Sequence, residues 1–380
     1  VNPRRALVLS GSIGSGHDSV AEACLGALGR VGYEGDVLDC MALLGDLGSR
    51  IGESVFRRML SVPPLYDAFH FSQMRAGTPL AERAEKAAAD RLVPALREAL
   101  RDRSPDVLLS VFATGAGALG RLRQDDVDIP SIVMCTDATA HRLWAHPGVD
   151  RYVVCSAMAA GTVRQYLPDA DVAIVPPPVR APFFDPPDRV TARRAHDVDP
   201  DVHCVLLMAG GWGLAPLQGA AEALADSGSR VLAVAGANTR LHKRLAASAA
   251  MRRPQRGGAG ITAIGFTDEI PSLMAAADVV VTSPGQTCHE ARVVGRPLVI
   301  LDVVPGHGRE NLLLELEHGG ALASPPHPQS VVVAVEAALR GIEPAGWPWQ
   351  VDGPGGWDKW FLSALADLID VDVESLPDAD

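Results

Sequence analysis

The chain has 380 residues, 47% hydrophobic and 21% charged, which excludes a disordered polypeptide and leaves room for two domains of ordinary size. A formal net charge of −12 argues against nucleic acid as a partner, and no apolar run reaches the ~18 residues that a membrane-spanning helix needs. Cys24, Cys40, Cys135, Cys155, Cys204 and Cys288 stand apart with no C-x-x-C pair, which favours reduced thiols in a cytoplasmic setting over a disulfide frame or zinc site.

Arg4 and Arg5 open the chain ahead of a strand predicted at residues 6–9. The apolar stretch stops at Gly11, too soon for a signal peptide. Ser10-Gly11-Ser12-Ile13-Gly14-Ser15-Gly16-His17 follows, and a helix is expected over 18–28. The glycines do not spell G-x-G-x-x-G, so no dinucleotide fingerprint is present. They make a thin loop at a crevice with His17 where the helix begins, and the dipole there favours neutral imidazole. A neutral histidine facing a cleft suits a general base for a hydroxyl; a plain helix-start histidine is the alternative. Further strands are predicted at 37–40, 107–112, 131–135, 152–155 and 172–175.

Between them, residues 51–103 read as helical. Val55, Phe56, Phe69 and Phe71 interleave with Arg57, Arg58 and Arg75, a basic amphipathic pattern able to lie on a membrane interface or to pack on its own domain. The net charge is −2 over residues 1–180 and −10 over the rest, so the first half is the better suited to approach an anionic membrane. After the strand at 131–135, Thr136 to Trp144 places Asp137, His141 and Trp144 on one loop at the carboxyl edge. Acceptor binding is one reading, with Asp137 orienting His17, and helix capping is the other.

The proline cluster from Pro176 to Pro187 reads as an inter-domain linker. Alternation restarts with strands at 205–208, 231–235, 261–264, 279–282 and 298–301, all near-continuous apolar runs of the kind buried on both faces. The expected fold is α/β, two doubly wound Rossmann-like domains facing across a cleft. The divisions are an acceptor domain at 1–180, a hinge at 181–200 and a nucleotide-sugar domain at 201–345. A C-terminal loop and single helix (346–380, helix 357–369) would pack back across the hinge. Ligands should sit at the carboxyl ends of the strands.

Two glycine turns in the second half suit phosphate, and a third glycine loop follows them. Gly210-Gly211-Trp212-Gly213 follows the strand at 205–208. Ser283-Pro284-Gly285-Gln286-Thr287 follows that at 279–282, and a helix then carries Glu290 one turn in. Pro305-Gly306-His307-Gly308-Arg309-Glu310-Asn311 follows that at 298–301. Free N–H groups at helix starts attract anions, glycine permits close approach, and a carboxylate one turn on suits a ribose hydroxyl pair. Small residues between strand and helix also serve plain packing.

Taken together, these motifs resemble the monogalactosyldiacylglycerol synthase and diacylglycerol glucosyltransferase group, a family 28-like branch of the GT-B glycosyltransferases. The resemblance rests on G-S-G-H at 14–17, T-D-x-x-x-H-x-x-W at 136–144, A-G-G-W-G-L at 209–214 and the run from Gly265 to Ala321. It implies an inverting, GT-B hexosyltransferase with a His17 base, assisted by Asp137, and no essential metal or resident cofactor. The co-substrate would be a nucleotide sugar, UDP-linked, and the acceptor a lipid or other hydrophobic molecule. Donor-binding positions would be Gly16, Gly211, Trp212, Gly213, Phe266, Gly285, Gln286, Thr287, Glu290, His307, Gly308, Arg309 and Asn311. His141 and Trp144 would meet the acceptor. The location implied is cytoplasmic, peripheral at the inner face of the membrane through the N-terminal domain.

Two departures stand out. Ser283-Pro284-Gly285-Gln286 replaces the usual K-P-G-G, so a lysine is gone. His307 and Gly308 replace the Gln and Glu that face sugar hydroxyls, and His307 with Arg309 suits an anionic or modified sugar. Alternatives are therefore a specialised-metabolite glycosyltransferase with an unusual donor, a sugar-nucleotide epimerase, and a non-catalytic nucleotide-sugar-binding protein.

Overall fold

The computed structural model describes residues 3–11, 15–43, 78–208, 217–341, 349 and 353–371. The chain divides into two units, residues 1–180 with 351–380, and residues 181–350.

The first unit begins with β1 (Arg4–Ser10), α1 (Ser15–Arg30), β2 (Tyr33–Asp39) and α2 (Cys40–Leu43). After α3 (Pro79–Arg103) come β3 (Val107–Ser110), α4 (Ala113–Gln124), β4 (Ser131–Cys135), a 3₁₀ turn (Arg142–Trp144), β5 (Arg151–Val154), α5 (Ala157–Tyr166) and β6 (Val172–Ile174). Its strands form one parallel sheet in the order β2-β1-β3-β4-β5-β6. Residues alternate between the faces, as the pleat requires. Ala6 and Val8 join one apolar cluster with α1, and Leu7 and Leu9 join another with Leu92 and Leu96 of α3. Strand β2 starts four residues ahead of the apolar run that announced it. It is an edge strand paired only with β1, so Glu34, Gly35 and Asp36 sit exposed where an interior strand would carry apolar side chains. Charge there also discourages edge-to-edge association. The apolar and basic residues of the expected membrane-facing pattern, Val55 through Arg75, lie outside the described residues.

The second unit runs through a 3₁₀ turn (Ala181–Phe183), α6 (Arg189–Ala195), β7 (Cys204–Met208), α7 (Leu217–Asp226), β8 (Arg230–Val234), α8 (Thr239–Met251), β9 (Gly260–Ile264), α9 (Ile270–Ala276) and β10 (Val279–Thr282). It continues with α10 (Gln286–Val293), β11 (Leu298–Leu301), α11 (His307–Glu317), β12 (Ala321–Ser324) and α12 (Pro328–Gly341). The parallel order is β12-β11-β10-β7-β8-β9. Edge strand β12, A-L-A-S, escaped the sequence pattern because it is short, small and half-exposed. Helix α6 falls within the stretch read as a hinge. Asp188 caps it, and buried Arg193 fastens it by donating to the carbonyls of Ala276, Asp199, Pro200 and Val202 and to Asp278.

Past residue 350 the chain returns to the first unit as α13 (Gly353–Ser363) and α14 (Ala366–Ile369). One continuous helix was expected over 357–369. The break falls where Arg151 Nη1 takes the Ala364 carbonyl at 2.7 Å, diverting it from the helical ladder. Trp357, Phe361, Leu362, Leu365 and Ile369 pack with Val20, Cys24 and Leu28 of α1. The Trp357 indole donates to the Pro176 carbonyl at 2.8 Å, and Arg30 pairs with Asp358 at 2.5 Å.

Candidate functional site

In doubly wound sheets, ligands bind beyond the carboxyl ends of the strands where strand order reverses. In the first unit that point lies between β1 and β3, and His17 stands there. Beyond β1, Gly11 lies under the Phe112 ring so closely that a Cβ would come within 2.7 Å of it. Helix α1 starts earlier than predicted, so His17 is its third residue. Ser10 Oγ donates to Asp18 Oδ1 at 3.0 Å, tying the strand end to the helix start. His17 Nδ1 lies 2.8 Å from the Val111 carbonyl oxygen. A carbonyl only accepts, so Nδ1 carries the proton and Nε2 is left as the basic nitrogen. The edge of Phe112 meets the imidazole at 5.2 Å between centroids. The imidazole pKa is held below 6.5, chiefly by burial; Asp137, the Val111 bond and Asp18 pull the other way. The sequence pointed to the helix dipole, whereas burial is the larger cause.

Asp137 follows β4 and acts on His17 through its charge. Its Oδ2 accepts the Trp144 indole N–H at 3.0 Å. Trp144 is only 2% exposed, so its ring orients Asp137. His141, also buried, lies 6.1 Å from Trp144 between ring centroids. Helix α5 holds this loop: Thr162 Oγ1 accepts from Ala140 N at 2.9 Å, and Ser156 Oγ donates to the Ala138 carbonyl at 3.1 Å. The structure brings His17 and Asp137, both singled out in the sequence, within electrostatic reach of each other; the sequence did not point to Val111, Phe112, Ser156 or Thr162. A backbone carbonyl carries no residue-type signal, and the other three read as ordinary strand-end or helix residues. A separate cleft of about 240 Å³, lined in part by Glu82, Lys86, Arg121, Arg142 and His146, contains neither His17 nor Asp137.

In the second unit the order reverses between β7 and β10. Gly211, Trp212 and Gly213, after β7, lie outside the described residues. After β10, Gly285 precedes α10 with φ 152°, a conformation that glycine alone adopts easily. Gly285 brings no side chain of its own to cap α10, and the space where a Cβ would stand is open. Gln286 and Thr287 are half-exposed at this helix start, and Glu290 is buried one turn along. Gly306, at φ 63°, likewise precedes α11 without a side-chain cap. Gly308 packs so tightly that a Cβ would lie 2.3 Å from Val304. His307 and Asn311 are half-buried on the same helix start; Arg309 is exposed and sits 3.6 Å from Asp302, which answers part of its charge. Phe266, beyond β9, is 75% exposed. Both glycine-led helix starts, each carrying the positive end of a helix dipole, are suited to an anionic ligand. Among the described residues no three His, Cys, Asp or Glu side chains gather as metal ligands would.

Comparison with known proteins bears on this arrangement. The family model "Monogalactosyldiacylglycerol (MGDG) synthase" matches residues 17–178. A processive diacylglycerol beta-glucosyltransferase of Bacillus licheniformis is 27% identical over 64% of this chain and 63% of its own length, so the match spans just under two thirds of that relative. The enzyme of the same description from Bacillus subtilis is 25% identical over 88% of this chain and 87% of its own length. Among solved structures, a Staphylococcus aureus MnaA–UDP complex covers 100% of both chains with a TM-score of 0.62 at 13% identity, a likeness of fold alone. The two parallel sheets and these likenesses give the chain the GT-B, two-domain α/β fold. Within that class the chain is similar to the monogalactosyldiacylglycerol synthases and diacylglycerol glucosyltransferases, as its motifs indicated.

Proposed function

We propose that this glycosyltransferase moves a hexose from a UDP-linked donor to the hydroxyl of a lipid acceptor of the diacylglycerol class, with inversion at the anomeric carbon. The carrying observation is His17: its Nδ1 is committed to the Val111 carbonyl, its Nε2 is left basic, and burial keeps it neutral near pH 7. The acceptor oxygen forms its bond to the anomeric carbon as its proton passes to Nε2, and the bond from that carbon to the diphosphate breaks, releasing UDP. Asp137 stabilises the imidazolium so formed. Fixing the reactants in line supplies much of the remaining acceleration.

On the donor side, the starts of α10 and α11 meet the diphosphate and sugar, with Gly285, Gln286, Thr287, His307, Gly308, Arg309 and Asn311. Glu290 takes the ribose hydroxyls, and the exposed Phe266 ring lies against the base. The nucleotide sugar is thus a co-substrate rather than a resident cofactor. The activity of the diacylglycerol glucosyltransferases that this chain resembles supports the lipid acceptor, and the UDP complex of a like fold supports the nucleotide. Among the described residues no helix is long and apolar enough to cross a membrane, and the reading places the enzyme peripherally on the cytoplasmic leaflet.

The test is transfer of radiolabelled glucose or galactose from the UDP-sugar to diacylglycerol in mixed micelles. Glycolipid should form, and His17→Ala should lower kcat by about 10²–10⁴. Wild-type-like turnover in His17→Ala overturns the base assignment, and transfer only to soluble alcohols overturns the lipid acceptor. Flotation with anionic liposomes tests the membrane contact.

A further inference from the structure

Helices α10 and α11 are joined behind their proposed ligand-facing ends by charged side chains that the sequence reading passed over. Glu315, on the last turn of α11, is 4% exposed at its side chain, and Arg292, on α10, is 2% exposed. Arg292 Nε donates to Glu315 Oε2 at 2.7 Å. Its Nη2 donates to the Glu315 backbone carbonyl at 2.7 Å and its Nη1 to the Gly319 carbonyl at 2.9 Å. The other carboxylate oxygen, Oε1, is 3.2 Å from Nδ1 of His289, also on α10. One guanidinium therefore grips both a buried carboxylate and the carbonyl end of α11, where positive charge is favoured. Its planar fork fixes angle as well as distance, which a lysine or an apolar contact does not.

His289 is the immediate neighbour of Glu290, and Arg292 lies two residues beyond it. Glu315 lies about one turn beyond Asn311 and about two beyond His307 on the same helix. A tilt or slide of α11 against α10 would move one glycine-led helix start relative to the other by the same amount. We infer that Glu315, clamped by Arg292 and His289, is a positioning residue that holds the two helix starts at the spacing a nucleoside-diphosphate sugar requires. The inference rests on the reading of those helix starts as the donor site. Glu315 touches no substrate; it acts through the placement of Gln286, Thr287, Glu290 and His307.

Calorimetric titration of the full chain with UDP tests it, alongside thermal unfolding of each variant. Glu315→Gln keeps the shape but loses the charge, and should weaken UDP binding by about tenfold or more, the scale on which groups supporting a ligand shell act. Exposed Glu317→Gln should leave binding unchanged. Because a lone buried arginine can unfold the protein, the second variant is the double replacement Arg292→Met with Glu315→Leu, which removes both charges. A purely stabilising pair predicts wild-type UDP affinity in that folded double variant; a positioning pair predicts the same loss as in Glu315→Gln. Wild-type affinity in either folded variant overturns the positioning role alone. Absence of UDP binding by the wild-type chain overturns the donor reading, and this inference with it.

Discussion

A base that takes a proton from an alcohol must be uncharged beforehand and stabilised once charged. At His17 these demands are met by different neighbours: burial lowers the pKa, and the Asp137 carboxylate partly restores it. The sign of each effect gives a pH prediction. Because the folded pKa lies below 6.5, kcat/KM should hold steady down to that pH and fall only beneath it. Removing the Asp137 charge deepens the depression, so Asp137→Asn should move the acid limb to still lower pH while reducing kcat, since the imidazolium loses its counter-charge. A pH–rate profile of both proteins checks this; an acid limb that shifts upward would show that Asp137 does not act on His17 by charge. Trp144→Phe, which removes the indole donor to Asp137, should reproduce a weaker form of the same shift.

At the scale of elements, the turn into α10 concentrates several requirements in one residue. Gly285 combines φ 152° with open space beside its Cα. Alanine there must adopt a backbone conformation that costs about 1–3 kcal/mol, and on the proposed reading its methyl would crowd the diphosphate. Gly285→Ala should lower the unfolding midpoint modestly and weaken UDP binding strongly; equal affinity in calorimetry would remove this turn from the donor site. The same turn shows what was legible beforehand. Strand, small-residue turn and helix announce themselves through apolar runs and glycines, so eleven of the twelve described strands and the turns after them could be placed. Edge strand β12 could not, because an edge needs no continuous apolar run. The join between α10 and α11 could not either: Arg292 and Glu315 are 23 residues apart, and each looks like an ordinary charged helix position until the fold buries both. The extent of α1 and the C-terminal break were likewise set by tertiary bonds, the break by Arg151 reaching Ala364 from a strand 213 residues away.

At the scale of the whole molecule, the first unit is discontinuous in sequence, and its integrity depends on α13. Trp357 is 2% exposed and stacks on Phe361 at 5.0 Å between centroids. Trp357→Ala should destabilise the unit by about 3–5 kcal/mol, read as a lowered urea midpoint. Asp358 adds a pH dependence: burial pushes its carboxyl from 3.8 up to about 6, against the pull of Arg30. Between those values the folded chain keeps a proton that the unfolded chain has released, so this group's contribution to stability is largest at the acid end and diminishes as pH climbs from 3.8 to 6. Asp358→Asn should flatten that slope. Urea midpoints of both proteins across pH 4–7 test it, and parallel curves would rule out Asp358 as the source.

The return of α13 and α14 to α1 also sets an order of assembly. While the nascent chain is still on the ribosome, the second unit, continuous from 181 to 350, can complete itself as soon as it emerges. The first cannot. The greasy flank of α1, on the helix that carries His17, stays bare until residues 353–371 have been made, so a segment translated ahead of the second unit is sealed after it, and it is there that chaperones should be found bound.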